Sequence, residues 1–466
     1  MAQAGRGSFS GRLGFIAAAA GSAVGLGNIW RFPYVAADNG GGAFLLIYLF
    51  CVFIICMPIM VAEISVGRHA QLNPHGSYKF IGGKNWGVVG IIGIIVGIMI
   101  LSFYNVVAGW SFGYFLQITF GNLLEQQNFA EYFGTYTANV GNNLIYSLFF
   151  MIFTGIIVAG GVEKGIERGA KTLMPLLVLL IVGLIIYGLT LEGAMQGVKN
   201  YILPNFEDVK DAGTWYSALS QAFFSLSLGM GAMITYGSYF SKKDSIVSSA
   251  ALVTTADSGI AFLSGLLIFP LIALMEGTGQ GGPALVFITL PTIFEQMGPV
   301  IGSIVGGAFF LLLCFAALTS TISLLEVPVS YLKDEFRIRR TPAVITLAAI
   351  IFILGLPSML SCGAGDFLTN FAYYGTGDEP LKFLSVVEDI FLGVGLPFGG
   401  LMISIFVAYK WRIFYFSSEI EEGHPNFKGS WQQKFVTVML GFISPVVVAL
   451  ILIINILQTF LGYTVF

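Results

Sequence analysis

Two glycine-rich stretches interrupt long apolar segments of this sequence. The first, 21–28 (GSAVGLGN), lies within the apolar run 13–37, and the second, 225–231 (SLSLGMG), lies within another apolar run. Glycine destabilises a helix by roughly 1 kcal/mol relative to alanine. In hydrocarbon, the backbone groups freed by a break need protein or a cavity around them. Each stretch therefore predicts a broken membrane helix that lines a binding site.

Polar side chains accompany both breaks. Asn28 and Ser227 stand beside the glycines. Small residues that only allow close helix packing would need no amide or hydroxyl there. Freed carbonyl oxygens suit a hard cation such as sodium, and the amides at the start of a half-helix suit a carboxylate. The pattern favours a site for a substrate and ions.

Asp257 is a carboxylate inside a third apolar segment. Such a group is costly in a membrane span and indicates a function by default. The alternative is a protonated side chain that bonds Thr254 or Thr255. A carboxylate that takes up a proton when sodium leaves would couple proton counter-transport, which the sequence leaves open.

Composition places these motifs in a polytopic membrane protein. The 466 residues are 56% hydrophobic and only 10% charged, with a mean hydropathy of +0.84, whereas soluble domains carry roughly 25% charged residues. The net charge of −3 gives no reason to expect a nucleic-acid partner. Three of the four cysteines lie in apolar segments, so a structural disulfide is not expected. The polar N-terminus runs straight into the first span and predicts no cleavable signal peptide.

Eleven spans are predicted from lengths of roughly 20 apolar residues. They cover 13–37, 42–66, 87–119, 143–160, 166–190, 216–240, 244–275, 299–332, 342–361, 383–409 and 434–463. With the N-terminus inside, 18 of the 22 lysines and arginines fall on the inner side and three on the outer side. This predicts a multi-pass cell-membrane protein, surrounded by lipid, with a cytoplasmic N-terminus and an outer C-terminus.

The two breaks divide the spans into two units of five. An odd number of spans makes the second unit inverted relative to the first, with substrate and ions near the membrane midplane between the breaks. We therefore expect an all-α fold with a five-plus-five inverted repeat. Its parts are an N-terminal gate segment 1–12, a first repeat 13–190, a second repeat 216–410 and an additional helix 434–463.

Longer motifs resemble a known family. The segment 25–33 (GLGNIWRFP), followed by 39–44 (NGGGAF), is similar to the signature of the neurotransmitter:sodium symporters, and 221–227 (QAFFSLS) resembles their sixth helix. The resemblance covers nearly the whole chain and lies nearest to bacterial eleven-helix transporters of hydrophobic amino acids. It implies sodium-coupled symport, no enzymatic activity and no organic cofactor.

The resemblance implies two sodium sites built from oxygen atoms. It assigns the first ion to the carbonyls of Ala23 and Ser225, the side chains of Asn28, Ser225 and Asp257, and the substrate carboxylate. It assigns the second ion to the carbonyls of Gly21, Val24 and Ala316 and the hydroxyls of Thr319 and Ser320. Helical hydroxyls more often bond only the preceding turn. Family members commonly carry asparagine at the Asp257 position, and some balance charge with chloride, so the aspartate here predicts transport without chloride.

The same resemblance implies a substrate pocket at the breaks. The residues assigned to it are Ala23, Gly25, Leu26, Gly27, Ile100, Tyr104, Phe224, Ser227, Met230, Ser320 and Leu324. The amides near Leu26 with the Tyr104 hydroxyl would bind a carboxylate, and carbonyls near Ser227 an ammonium. Monoamine carriers of the family place aspartate at the Gly25 position, so glycine implies that the substrate brings its own carboxylate. The apolar lining predicts large aliphatic or aromatic α-amino acids without specifying which.

Gate residues are also implied by the resemblance. The outer pair is Arg31 with Asp389, or with the neighbouring Glu388, and simple snorkelling of Arg31 is the alternative. The inner gate is assigned to Arg6, Asp334, Phe9 and Tyr239. Gly165 and Pro175 would let the inner half of span five unwind, although Pro175 as a mere kink fits as well.

These features together predict sodium-driven uptake of neutral hydrophobic L-amino acids by alternating access. A channel on the same scaffold would need a continuous polar lining, which Phe224 and Tyr104 interrupt. An amino-acid sensor on the same scaffold remains an alternative that uptake measurements distinguish. The oligomeric state is not indicated by the sequence.

Overall fold

The computed structural model describes residues 7–121, 123–273, 285–372, 374 and 380–463. Within them, nine helices are long and apolar enough to cross a membrane, and a bent pair makes a tenth candidate span. The nine are Gly42–Ala70, Lys84–Thr119, Val140–Ala159, Val162–Gly188, Ile246–Ala273, Pro299–Phe336, Arg340–Leu360, Phe383–Glu421 and Trp431–Leu461. They correspond in order to predicted spans 2 to 5 and 7 to 11.

Spans 1 and 6 are each made of two helices. Span 1 consists of Arg12–Ala23 and Gly27–Asp38, which meet at an angle of 52°. Span 6 consists of Ala212–Ser225 and Ala232–Gly237, each too short to cross alone. Both breaks fall within the glycine-rich stretches. The predicted all-α membrane architecture is confirmed; the repeat boundaries remain a prediction.

Shorter helices fill the connections between spans. They are Pro74–Gly82, Phe129–Ala138, Ala194–Ile202, Leu285–Gln296 and Asp366–Thr369. Span 10 runs twelve residues past its predicted end at 409, because helix Ile413–Glu421 follows it directly. Arg412, with φ +70°, turns the chain at that junction.

Spans 3 and 8 pack along one another, and span 8 also packs against the first helix of the broken span 1. The second half of span 6 packs against span 2, where Gly67 allows close approach: a Cβ there would lie 1.9 Å from the Ile234 carbonyl oxygen. The broken spans are thus enclosed by unbroken helices. This enclosure keeps the freed backbone groups of the breaks inside protein.

Candidate functional site

The break in span 1 brings backbone close to two hydroxyls. The helix ends at Ala23, Val24 is extended, and the chain turns helical again at Gly27. A Cβ on Gly25 would lie 2.4 Å from Ser320 Oγ and 2.8 Å from Tyr104 Oη. Only glycine therefore fits at position 25 without moving these side chains.

The break in span 6 uses left-handed backbone. Ser227, Gly229 and Gly231 have φ of +53°, +85° and +79°. Glu63 of span 2 accepts a hydrogen bond from the Gly229 amide at 2.7 Å. Ser227 Oγ donates to the Ser22 carbonyl at 2.9 Å, which ties the two breaks together.

Asp257 lies fully buried between the breaks. Its carboxylate accepts from Asn28 Nδ2 at 2.7 Å and from Ser225 Oγ at 2.8 Å. Tyr48 Oη lies 3.4 Å away, and Asn28 Oδ1 accepts from the Gly25 amide at 3.0 Å. The hydroxyls that were the alternative partners point elsewhere: Thr254 contacts Met60, and Thr255 bonds the Ala251 carbonyl. Three predicted ligand side chains of the first ion are thus gathered in one cluster.

A second group of oxygen atoms lies where span 8 meets the first break. Thr319 Oγ1 is 3.2 Å from the Val24 carbonyl and 2.9 Å from that of Ala316. Ser320 Oγ is 3.4 Å from the Val24 carbonyl. A Cβ on Gly21 would lie 3.5 Å from Thr319 Cβ, so that residue faces the same place. The Thr319 hydroxyl therefore contacts a carbonyl of another span, Val24, in addition to the carbonyls of its own helix.

A small cavity adjoins both oxygen groups. Most residues predicted for the substrate pocket line it, namely Ala23, Gly25, Gly27, Ile100, Tyr104, Phe224, Ser227, Met230, Ser320 and Leu324. Leu26 reaches it through its amide, which donates to Tyr104 Oη at 2.9 Å. Ser323, Leu392 and Leu396 also line it and were not predicted.

Arg31, which is predicted to belong to the outer gate, lines two cavities in this structure. Two cavities of about 310 and 360 Å³ lie outside the Phe224 ring. Arg31 lines both, donates to Gln221 Oε1 at 3.0 Å, and lies 5.1 Å from the centre of the Phe224 ring. Within the described chain, neither Glu388 nor Asp389 lies within the 4.0 Å ion-pair distance of Arg31.

The two candidate acids differ in their surroundings. Glu388 lines both outer cavities with Arg31, whereas Asp389 lines only one. Asp389 accepts a hydrogen bond from Tyr374 Oη at 2.8 Å. Burial and the Asp389 carboxylate raise the pKa of the Tyr374 phenol, so it remains a donor. The expected Arg31–Asp389 contact is not formed in this conformation.

Aromatic rings pack together at the side that the sequence predicts to be the inner one. Phe9 is buried, with its ring centre 5.9 Å from that of Tyr236 and 6.1 Å from that of Tyr239. Tyr239 Oη donates to Glu326 at 2.8 Å, and Arg340 pairs with the same carboxylate. Asp334 accepts from the Asn73 amide at 2.8 Å. Arg6 lies outside the described residues.

Sequence reasoning missed several polar groups. Tyr48 contacts Ser225 Oγ at 3.2 Å as well as Asp257, and Gln221 joins Arg31 to the Gly27 carbonyl at 2.9 Å. Glu326 and Arg340 form an ion pair beside Tyr239. Glu326 is charged within an apolar span, and that signal was available in the sequence. Nothing in the pattern singled out Tyr48, since aromatic residues are frequent in such spans.

The chain is similar to known proteins over most of its length. The sequence model of the "Sodium:neurotransmitter symporter family" matches residues 6–132 and 131–465. An uncharacterised sodium-dependent transporter of Bacillus subtilis, YhdH, is 35% identical, with 95% of this chain and 96% of that protein covered. The sodium-dependent serotonin transporter of Drosophila melanogaster is 30% identical over 95% of this chain and 75% of its own.

A solved structure is also similar. The crystal structure of MhsT in complex with L-phenylalanine matches with a TM-score of 0.86 and 43% identity, and covers 96% of this chain and 99% of that one.

Proposed function

Because the chain belongs to the sodium:neurotransmitter symporter family, we propose that it carries neutral hydrophobic L-amino acids into the cell together with two sodium ions and without chloride. The family consists of sodium-dependent transporters and not of enzymes, and the apolar helices make this a multi-pass membrane protein. The observation that carries the finer proposal is the Asp257 cluster, which lies against both helix breaks beside the cavity.

The cavity supports an amino-acid substrate. Near the breaks it offers the Tyr104 hydroxyl and backbone amides for a carboxylate. Ile100, Met230 and Leu324 supply an apolar end, and methionine adapts to side chains of different shape. Gly25 leaves no acid to replace a missing substrate carboxylate. MhsT, the structural relative that binds L-phenylalanine, is consistent with this assignment.

The two oxygen groups support two sodium ions. The first would use the Asn28, Ser225 and Asp257 side chains with the carbonyls of Ala23 and Ser225. Asp257 would supply within the protein the negative charge that chloride supplies elsewhere in the family. The second ion would lie among Thr319, Ser320 and the carbonyls of Gly21, Val24 and Ala316, which already meet across two spans.

Alternating access would use the two sides described above. The packed rings around Phe9 on one side and the cavities beside Phe224 on the other support loading from the side of Arg31. Closure would bring Arg31 towards an acid of span 10. We assign Glu388 to this role in preference to Asp389, because Glu388 shares both outer cavities with Arg31 and Asp389 is engaged by Tyr374.

Uptake into proteoliposomes tests the proposal. Labelled leucine and tryptophan would be supplied with an inward sodium gradient, in chloride or in gluconate, to the wild type, Asp257→Asn and the exposed control Asp366→Asn. We expect sodium-dependent accumulation by the wild type and the control in both anions, and failure or chloride dependence of Asp257→Asn. A chloride requirement of the wild type would refute the role of Asp257, and binding without uptake would favour a sensor.

A further inference from the structure

A carboxylate of span 5 holds the segment that precedes span 1. The Ser10 amide donates to Glu167 Oε2 at 2.8 Å, and the Ser10 hydroxyl donates to Oε1. Lys171 Nζ lies 2.5 Å from the same Oε1. The Glu167 side chain is only 3% exposed, whereas Ser10 and Lys171 at the other ends of these bonds are exposed. Hydrogen bonds to an ionised acceptor are stronger than those between neutral groups.

Gly14 makes room for this carboxylate. A Cβ on Gly14 would lie 2.3 Å from Glu167 Cδ and 2.4 and 2.6 Å from its two oxygens. Gly14 belongs to the inner half-helix Arg12–Ala23, so Glu167 touches both the half-helix and the residue ahead of it. Glu167 can therefore lie against this half-helix only because residue 14 is a glycine.

Glu167 ends an irregular turn of span 5. The turn Val162–Glu167 is π-helical and follows Gly161 at φ +92°. Such turns are frequent at functional sites. On the other partner, Ser10 directly follows Phe9, the ring that closes the inner side against Tyr236 and Tyr239. One side chain thus connects the start of span 5 to the inner plug.

We propose that Glu167 is a positioning residue that couples the inner gate to span 5. While the π-helical turn is formed, Glu167 holds Ser10 and keeps Phe9 in place. When that turn rearranges, the carboxylate leaves Ser10 and Gly14, and the inner half of span 1 is released. Coupling of this kind is reciprocal, so a closed plug also stabilises the turn. The inference rests on the proposed alternating-access function.

The half-helix Arg12–Ala23 is also held by hydrogen bonds to span 7, which would remain after loss of Glu167. Arg12 donates to Ser248 Oγ at 2.7 Å and to Ser249 Oγ at 3.1 Å, both on span 7. Removal of Glu167 therefore leaves the half-helix anchored at span 7 and shifts the gate equilibrium without unfolding the segment. Loss of charge-assisted hydrogen bonds corresponds to a shift of about tenfold to a hundredfold towards the open inner gate.

Distances between spin labels test the coupling. Labels on Ser8→Cys and Arg339→Cys, both exposed inner positions, would be measured in a background whose four native cysteines are replaced. We expect one narrow distance distribution for the wild type in sodium. Glu167→Ala and Gly14→Ala should each add a second, broader population, although Gly14→Ala keeps every bonding group. The control Glu163→Ala removes an exposed acid from the same turn and should leave the distribution narrow.

Two results would overturn the inference. One is a wild-type distribution in both Glu167→Ala and Gly14→Ala with an unchanged thermal midpoint, and the other is equal broadening in Glu163→Ala. The distance measurement needs no transport. Failure of the wild type to accumulate amino acids with sodium would therefore count against the proposed function, while the label distances still decide the coupling.

Discussion

Position 25 shows how a single missing side chain shapes the candidate pocket. We predict that Gly25→Ala weakens substrate binding by about 5- to 150-fold, because overpacking a filled site typically costs about 1–3 kcal/mol. The added Cβ would lie 2.4 Å from Ser320 Oγ. Equilibrium binding of labelled leucine in sodium measures the effect. Gly183→Ala is the control, since its Cβ would meet nothing within 4 Å; unchanged affinity in Gly25→Ala would contradict the pocket assignment.

Thr319 offers a separate test of the second oxygen group. We predict that Thr319→Val, which keeps the shape and removes the hydroxyl, lowers the apparent sodium affinity by about tenfold or more, as expected for loss of a polar contact to a charge. Substrate binding measured against sodium concentration gives this value. Thr255→Val removes a hydroxyl that bonds only its own helix and should bind sodium normally. Equal sodium affinity in the two variants would argue against an ion at Thr319.

The site residues near the breaks could be predicted from the sequence because each stands out within one short segment. Glycine beside Asn28, and a carboxylate at Asp257 within an apolar run, each stand out in one short segment. Tyr48 and Gln221 did not, because their importance lies in contacts with other spans. Tyr48 reaches Ser225 across 177 residues of sequence. Such contacts depend on how the helices pack, which the pattern of one segment does not contain.

Among the elements, the break in span 6 depends on a side chain from span 2. Glu63 is 1% exposed and accepts from the Gly229 amide. We predict that Glu63→Ala lowers the stability of the protein by about 1–3 kcal/mol, the usual cost of leaving a buried polar group without its partner. The thermal midpoint in detergent measures this change. Ser65→Ala, on the same helix, removes a hydroxyl that bonds only the Val61 carbonyl and should change the midpoint less; an equal change would contradict the role of Glu63.

Helix positions were predicted better than helix ends. Hydropathy placed the eleven spans, and the glycine stretches placed both breaks, since each depends on composition alone. The helix of span 10 extends twelve residues beyond its predicted end at 409, because helix Ile413–Glu421 continues the chain after the turn at Arg412, for which the sequence has no turn signal. The first break also proved short, with only 24–26 between its helices.

The whole molecule carries a strong charge asymmetry. With the spans placed as predicted, 18 lysines and arginines face one side and three face the other. Positive residues near span ends favour the cytoplasmic side. The Phe9 plug and the outer cavities lie at opposite ends of the broken spans, so the same asymmetry decides which of them faces the cytoplasm. Orientation therefore determines whether the transport proposed here is uptake.

Labelling of single cysteines would establish that orientation. Lys199, on an exposed connecting helix, is expected outside, and Lys434, at the start of span 11, is expected inside. We predict that a membrane-impermeant maleimide labels Lys199→Cys in intact cells and labels Lys434→Cys only after the membrane is opened. The native cysteines are all buried, so they give a low background. Labelling of Lys434→Cys in intact cells would invert the assignment, and the cavities beside Arg31 would then face the cytoplasm and load substrate for export.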